Sequence, residues 1–93
     1  MAIISFTCPD TEAFFESGVN KKFSSIANVL ARKLNMLNAA AKLEDLRVLP
    51  GNKLHYLDKD RHGQYAINVN RQYRICFEWT LEGPKNVEVA DYH

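Results

Sequence analysis

Long apolar runs are missing from this 93-residue sequence. The longest covers only residues 1–4, far short of the ~20 apolar residues that a membrane-spanning helix needs. Lysine and arginine are absent before position 21, so the sequence lacks the basic start of a secretory signal peptide. These absences predict an unprocessed cytoplasmic protein without a membrane partner.

Cysteine and histidine are scarce as well. Cys8 and Cys76 could pair in principle, but a cytosolic setting favours reduced thiols, and Cys76 lies in an apolar run typical of a buried side chain. The histidines at positions 55, 62 and 93 do not have the spacing of metal ligands. The sequence therefore predicts neither a metal site nor a cofactor.

Glycine and proline, with 4 and 3 residues, are too few for a low-complexity chain. The apolar fraction of 46% and the charged fraction of 25% are typical of a globular protein. The length predicts one domain over residues 1–93. Such a chain has no room for a dinucleotide-binding fold or a barrel enzyme, so any catalysis would use a small open site.

The net charge of +1 hides an uneven distribution. Residues 1–20 carry three acids and no lysine or arginine, while residues 75–93 carry one lysine against four acids. Residues 21–74 carry eleven lysines and arginines against four acids, which is a charge of +7 between two ends of −3. Clustered positive charge is typical of a protein that binds a polyanion.

Helical signals are confined to the first half of the chain. Pro9 and Gly18 bracket a first predicted helix over Thr11–Glu16. A second helix, capped by Ser24 or Ser25, is predicted from apolar residues spaced three and four apart. These apolar residues are Ile26, Val29, Leu30, Leu34, Leu37 and Ala41.

Alternating apolar residues predict strands in the rest of the chain, with residues 43–53 as an irregular connection and Gly83 and Pro84 in a turn. The pattern predicts an α+β fold in which two N-terminal helices pack on one face of an antiparallel β-meander. The other face of the sheet is expected to be polar and open. The predicted strands are Ile3–Phe6, 54–57, Gln64–Val69, Tyr73–Trp79 and Val87–Tyr92.

Strand alternation places Arg74 on the open face, between Tyr73 and Ile75, which point into the core. His55 is expected on the same open face. An arginine held by a central strand is well suited to stabilise phosphate charge. Two simpler interpretations stay open: Arg74 pairs with Glu78 on the surface, and His55 has only a structural role.

A family resemblance rests on five segments: LNMLNAA (residues 34–40), PGNKL (50–54), DRHGQY (60–65), YRICFEW (73–79) and VEVADYH (87–93). These segments closely resemble the HigB branch of the RelE/ParE toxin superfamily, and the resemblance covers nearly the whole chain. The ending VEVADYH is the most specific of them.

This resemblance implies a RelE-like fold and the toxin of a type II toxin–antitoxin pair. It implies a ribonuclease that works without a metal, enters the 30S A site of the ribosome and cuts mRNA there by attack of the 2′-hydroxyl, which inhibits translation. It also implies a HigA-type helix-turn-helix antitoxin as partner, with operator DNA bound only through the complex of the two.

The resemblance also points to residues for the proton transfers. The RelE branch carries lysines on the strand equivalent to residues 65–69, where this sequence has Ala66 and Asn68. The two proton steps would therefore fall to His55 and His93, because histidine titrates near neutral pH.

Three more residues complete the candidate catalytic set. Arg74 would stabilise the charge on the phosphorane, Asp91 would orient a histidine or the arginine, and Tyr92 would stack on an unpaired base. Strand alternation puts Asp91 and His93 on the core-facing side. A twist or bulge at the strand end would have to turn His93 toward Arg74.

Four further cations are candidates for substrate binding: Lys53, Lys59, Arg61 and Arg71. Each of them, like Lys33 in the second helix, either binds phosphate without specificity or is simply solvated.

Two other functions stay open. A ParE-like poison of a DNA topoisomerase would share the fold, and a chain without activity would remain an RNA-binding module. The basic middle segment and the two histidines favour the endoribonuclease.

Overall fold

The computed structural model describes residues 2–49, 51–57 and 63–91. The helices are α1 (Pro9–Ser17), a 3₁₀ helix (Lys21–Ile26), α2 (Ala27–Ala39) and α3 (Glu44–Arg47). The strands are β1 (His55–Leu57), β2 (Gln64–Asn68), β3 (Tyr73–Thr80) and β4 (Gly83–Asp91). They form one antiparallel sheet in the order β1-β2-β3-β4. The predicted α+β fold with a β-meander is therefore confirmed.

One face of the sheet packs against the helices and forms the main core. Phe14 of α1 and Leu30 of α2 are buried in it, together with Ile75 and Phe77 of β3. Phe14 also meets Phe23 of the 3₁₀ helix edge to face, with ring centroids 6.0 Å apart. We call this side of the sheet the core face.

Helix α1 begins and ends where the sequence predicts. Pro9 lies in its first turn, and Gly18 follows its end with φ +80°, a left-handed conformation that favours glycine. The Gly18 amide donates to the Phe14 carbonyl at 2.7 Å. The buried Thr11 hydroxyl accepts a hydrogen bond from the Val89 amide at 3.1 Å, which fastens α1 to β4.

Helix α2 starts differently from the prediction. The predicted caps Ser24 and Ser25 are wrong, because both serines lie inside the 3₁₀ helix. That helix is capped by Asn20, whose side chain accepts a hydrogen bond from the Lys22 amide at 2.9 Å. The predicted irregular connection also contains the short helix α3. Among the described residues, no helix has both the length and the apolar character to cross a membrane.

The two ends of the sheet correct two further predictions. Residues 3–6 do not form a strand, since only Phe6 bridges to Val87, in parallel orientation. Strand β4 begins at Gly83 instead of Val87, with Pro84 opposite Trp79. Proline fits this position because β4 is an outer strand, where a missing amide hydrogen is tolerated.

Candidate functional site

The second face of the sheet is not uniformly polar, so that prediction is wrong at its centre. Ala66, Cys76 and Ala90 form a small buried apolar cluster there, with Leu57 packed against it. Cys76 is fully buried, as predicted. The small side chains of a sheet centre are shielded by longer neighbours on the same face. We call this side of the sheet the site face.

The site face brings His55 and Arg74 together. The Arg74 Nη1 atom lies 3.2 Å from His55 Nε2. The two residues belong to strands β3 and β1, which are about 10 Å apart, or two strand spacings. The strand between them presents Ala66, which is the cross-strand partner of His55. Because Ala66 carries only a methyl group, the long Arg74 side chain can pass over it.

Two contacts define the protonation of the His55 ring. Its Nδ1 atom lies 2.8 Å from the carbonyl oxygen of Lys53. A carbonyl can only accept, so the neutral ring carries its proton on Nδ1. Arg74 can only donate, so Nε2 carries the lone pair. Both neighbours therefore assign the same tautomer, with a basic Nε2 atom beside a guanidinium group.

Arg74 does not pair with Glu78, so the simpler interpretation of Arg74 is wrong. Glu78 accepts a hydrogen bond from Asn86 Nδ2 at 2.7 Å and lies 3.8 Å from Lys85 Nζ. Glu78 is thus occupied at the far end of the sheet, and Arg74 contacts His55.

Asp91 is the last residue of β4, and strand alternation places it on the opposite side of the strand from Ala90. Its cross-strand partner is Tyr73, whereas Arg74 is paired with Ala90. The Asp91 carboxylate accepts a hydrogen bond from Gln72 Nε2 at 3.0 Å. This register agrees with the alternation from which the sequence predicts a core-side position for Asp91, and the Asp91 side chain is exposed.

The remaining predicted residues divide into two groups. Lys53 and Arg71 are exposed, and Arg71 belongs to the turn in which the Asn70 side chain accepts from two following amides. Four residues lie outside the described parts of the chain: Lys59, Arg61, Tyr92 and His93.

Asn68 is a site residue that sequence reasoning noticed only as a missing lysine. It is the cross-strand partner of Arg74. Its Oδ1 atom is buried and has no hydrogen-bond partner among the described residues. Such an acceptor is rare in folded proteins and costly to bury without a donor.

Lys33 corrects another prediction. It is 5% exposed, not solvated, and its Nζ atom donates to the side-chain oxygen of the fully buried Asn52. Burial lowers the pKa of the Lys33 ammonium group, and the nearby Arg32 charge lowers it further. The helical spacing carried a signal for this burial, because Lys33 lies three residues after Leu30 and four before Leu37. Its partner Asn52 carried none, because it lies in a loop without a periodic pattern.

Comparison with known proteins agrees with the resemblance. The family model for HigB, a RelE-like toxin of type II toxin–antitoxin systems, matches residues 5–93. Toxin HigB-1 of Vibrio cholerae serotype O1 is 43% identical over 70 residues, which cover 73% of this chain and 74% of that protein. An uncharacterized protein of Haemophilus influenzae is 41% identical over 56 residues, which cover 60% of this chain and 55% of that protein. The chain therefore belongs to the family of HigB-like toxins of type II toxin–antitoxin systems, whose members have an antitoxin as partner.

Proposed function

We propose that this toxin is a ribosome-dependent endoribonuclease that cuts mRNA in the 30S A site and so inhibits translation. The observation that carries the proposal is the contact of 3.2 Å between Arg74 and His55 Nε2 on the site face. It joins a proton acceptor to a cation suited to phosphate, and these are two of the three groups that RNA cleavage without a metal requires.

In this mechanism His55 is the general base. Its Nε2 atom takes the proton of the 2′-hydroxyl, and the 2′-oxygen attacks the neighbouring phosphorus. The bond from phosphorus to the 5′-oxygen breaks, which leaves a 2′,3′-cyclic phosphate and a 5′-hydroxyl end. The leaving 5′-oxygen takes its proton from a general acid, a role we assign to His93.

Arg74 stabilises the pentavalent phosphorane. A guanidinium group can donate two parallel hydrogen bonds to phosphate oxygens, and a donor held in place gives the largest electrostatic benefit. When substrate is bound, Arg74 turns from His55 to the phosphate, which frees the Nε2 lone pair for the 2′-hydroxyl.

The other candidates bind and orient the mRNA. Four cations contact backbone phosphates: Lys53, Lys59, Arg61 and Arg71. Tyr92 stacks on a base. Asp91 orients a histidine or Arg74. So small a set of groups on a sheet face positions substrate poorly by itself. The ribosome supplies the missing orientation by holding the mRNA strand.

The antitoxin partner is of the HigA helix-turn-helix type in this proposal. The toxin then reaches operator DNA only as part of the complex, and the free toxin acts in the cytoplasm.

The test is cleavage of a defined mRNA by purified toxin, in a cell-free translation extract and on the same mRNA without ribosomes. Cut sites are mapped from the new 5′ ends. We expect cleavage by the wild type only during translation, with strong loss in Arg74→Ala and His55→Ala. Arg47→Ala is the matched control, because Arg47 is an exposed arginine of α3 that pairs with Glu44 at 2.9 Å.

Two outcomes would contradict the proposal. Arrest of translation without cut mRNA, together with inhibition of gyrase supercoiling, would indicate a topoisomerase poison. Salt-sensitive RNA binding without cleavage would indicate an inactive RNA-binding module.

A further inference from the structure

A buried lysine lies behind the candidate site and has no role in the proposed reaction. Lys33 comes from α2 on the core face, and its ammonium group donates to Asn52. It also lies against Gly51, within 4.0 Å of the position that a Cβ atom would take there. A buried ammonium group is stable only when it is well hydrogen-bonded, so the Lys33 side chain is held in this place.

Asn52 connects three parts of the molecule to that lysine. Its Nδ2 atom donates to the Leu46 carbonyl in α3 at 3.1 Å and lies 3.4 Å from the Met36 sulfur in α2. Its backbone carbonyl accepts a hydrogen bond from the Asn68 amide at 2.6 Å. Asn68 lies in β2, just past the residues that pair with β1. Asn52 is therefore held through both its side chain and its backbone.

The two neighbours of Asn52 have unusual backbone angles. Gly51 has φ +86°, and Lys53 has φ +48° although it is not glycine. A lysine in this region is disfavoured and persists only where the surroundings determine it. The strongest constraint next to Lys53 is the buried Asn52.

The Lys53 conformation matters because its carbonyl holds His55. That carbonyl lies 2.8 Å from His55 Nδ1 and keeps the proton on this nitrogen. A continuous series of contacts thus runs from the Lys33 ammonium group, through Asn52 and the Lys53 backbone, to the His55 ring.

We propose that Lys33 and Asn52 are positioning residues that set the tautomer and orientation of His55 through the backbone carbonyl of Lys53. The proposal rests on the proposed function in so far as His55 is the base. Without the hydrogen bond between Lys33 and Asn52, Lys53 returns to a common negative φ and its carbonyl turns away from His55. Only the Arg74 guanidinium group then opposes a proton on Nε2, so the Nε2–H tautomer becomes more populated. A ring in that tautomer has no lone pair on Nε2, so it cannot accept the 2′-hydroxyl proton at the nitrogen beside Arg74.

The test measures the tautomer directly, on free toxin labelled with ¹⁵N. Two-bond proton–nitrogen correlation spectra give the protonated nitrogen of each neutral histidine ring, and His55→Ala assigns the His55 signals. We expect the Nδ1–H tautomer in the wild type and a shift toward Nε2–H in Lys33→Met, which keeps the length of the side chain and removes its donor.

A matched control separates positioning from general loss of stability. Thr11→Val removes another buried side-chain hydrogen bond, the one to the Val89 amide on β4, and should leave the His55 tautomer unchanged. If Lys33→Met does not fold, Lys33→Gln keeps a shorter polar chain and should shift the tautomer in the same direction, but less. The wild-type tautomer in a folded Lys33 variant, or an equal shift in Thr11→Val, would overturn the proposal.

The rate of mRNA cleavage gives a second test, and its result can be distinguished from that of the tautomer measurement. In the translation extract, Lys33→Met should lower the cleavage rate at saturating ribosome concentration about 10-fold to 100-fold, as small displacements of a reacting group do. A toxin that never cuts mRNA would refute the proposed function, whereas the tautomer measurement would still decide whether Lys33 positions His55.

Discussion

The two faces of the sheet are built in different ways. The core face is lined by large apolar side chains, among them Ile67, Ile75 and Phe77, which are fully buried under α1 and α2. The site face has only a small central cluster of alanine and cysteine side chains, and its polar groups His55 and Arg74 lie around this cluster. Along the strands the two patterns alternate, except where the pairing of β3 with β4 shifts register between Cys76 and Glu78.

This difference separates stability from chemistry. Burial of large apolar side chains dominates the free energy of folding, so the core face should account for most of it. On the site face, the small residues leave room for a long arginine to reach a histidine two strands away. Substitutions on the two faces should therefore affect different measurements, and each prediction below tests that separation.

The largest effect is expected on the core face. Leu30→Ala removes a fully buried side chain of α2 and should lower the free energy of unfolding by about 2–5 kcal/mol. Urea denaturation measures the loss, with the exposed Asn28→Ala on the same helix as control. Cleavage by the fraction that stays folded should be unchanged. A stable but inactive Leu30→Ala toxin would break the separation of the two faces.

Arg74→Ala is the counterpart on the site face. Loss of one preorganised donor of this kind lowers the rate of a reaction ~10²-fold to 10³-fold, and we expect this loss in mRNA cleavage. The free energy of unfolding should change far less, because no large apolar side chain is removed. A urea midpoint that falls as far as that of Leu30→Ala would show that Arg74 acts mainly in folding.

Ala66→Leu should affect both measurements. Ala66 is fully buried, and it lies between His55 on β1 and Cys76 on β3. A larger side chain in a packed site typically costs about 1–3 kcal/mol, and here it would also obstruct the path of Arg74 to His55. We expect a lower urea midpoint together with slower cleavage. Unchanged cleavage would mean that the reaction does not depend on the path that Arg74 takes over Ala66.

The sequence predicts on which face of the sheet a side chain lies better than it predicts which side chains are in contact. Period-two alternation suffices to assign Ile75 to the core and Arg74 to the other side, because it depends on neighbouring residues only. It could not predict that Arg74 meets His55, since this depends on the register of three strands and on the small Ala66 between them. The start of β4 at Gly83 was missed because a glycine and proline pair resembles a turn.

The hydrogen bond between Lys33 and Asn52 was harder still to predict. Lys33 and Asn52 are 19 positions apart and are joined by a hydrogen bond between one helix and one loop. Lys33 lies at helical spacing from the buried Leu30 and Leu37, but lysine is usually exposed, and Asn52 belongs to no periodic pattern. A sequence with polar residues at these positions is consistent with many surface arrangements, so only the packed structure reveals the pair.

The smallest predicted effect concerns the pH dependence of this pair. Burial lowers the pKa of Lys33 from its usual 10.5, with the Arg32 charge as second cause. Between the lowered pKa and 10.5, the unfolded chain therefore binds more protons than the folded chain, and a rise in pH favours folding. The stabilisation is complete only above the unfolded value, and it is lost as the pH falls through the folded one.

The urea midpoints of wild type and Lys33→Met, compared from about pH 7 to about pH 10, measure this dependence. Subtraction of the variant removes the titration of the other groups, which both chains share. We expect the midpoint of the wild type to rise relative to that of Lys33→Met as the pH increases. A difference that stays constant or falls would mean that Lys33 is not held in a buried site, and that it positions His55 only weakly.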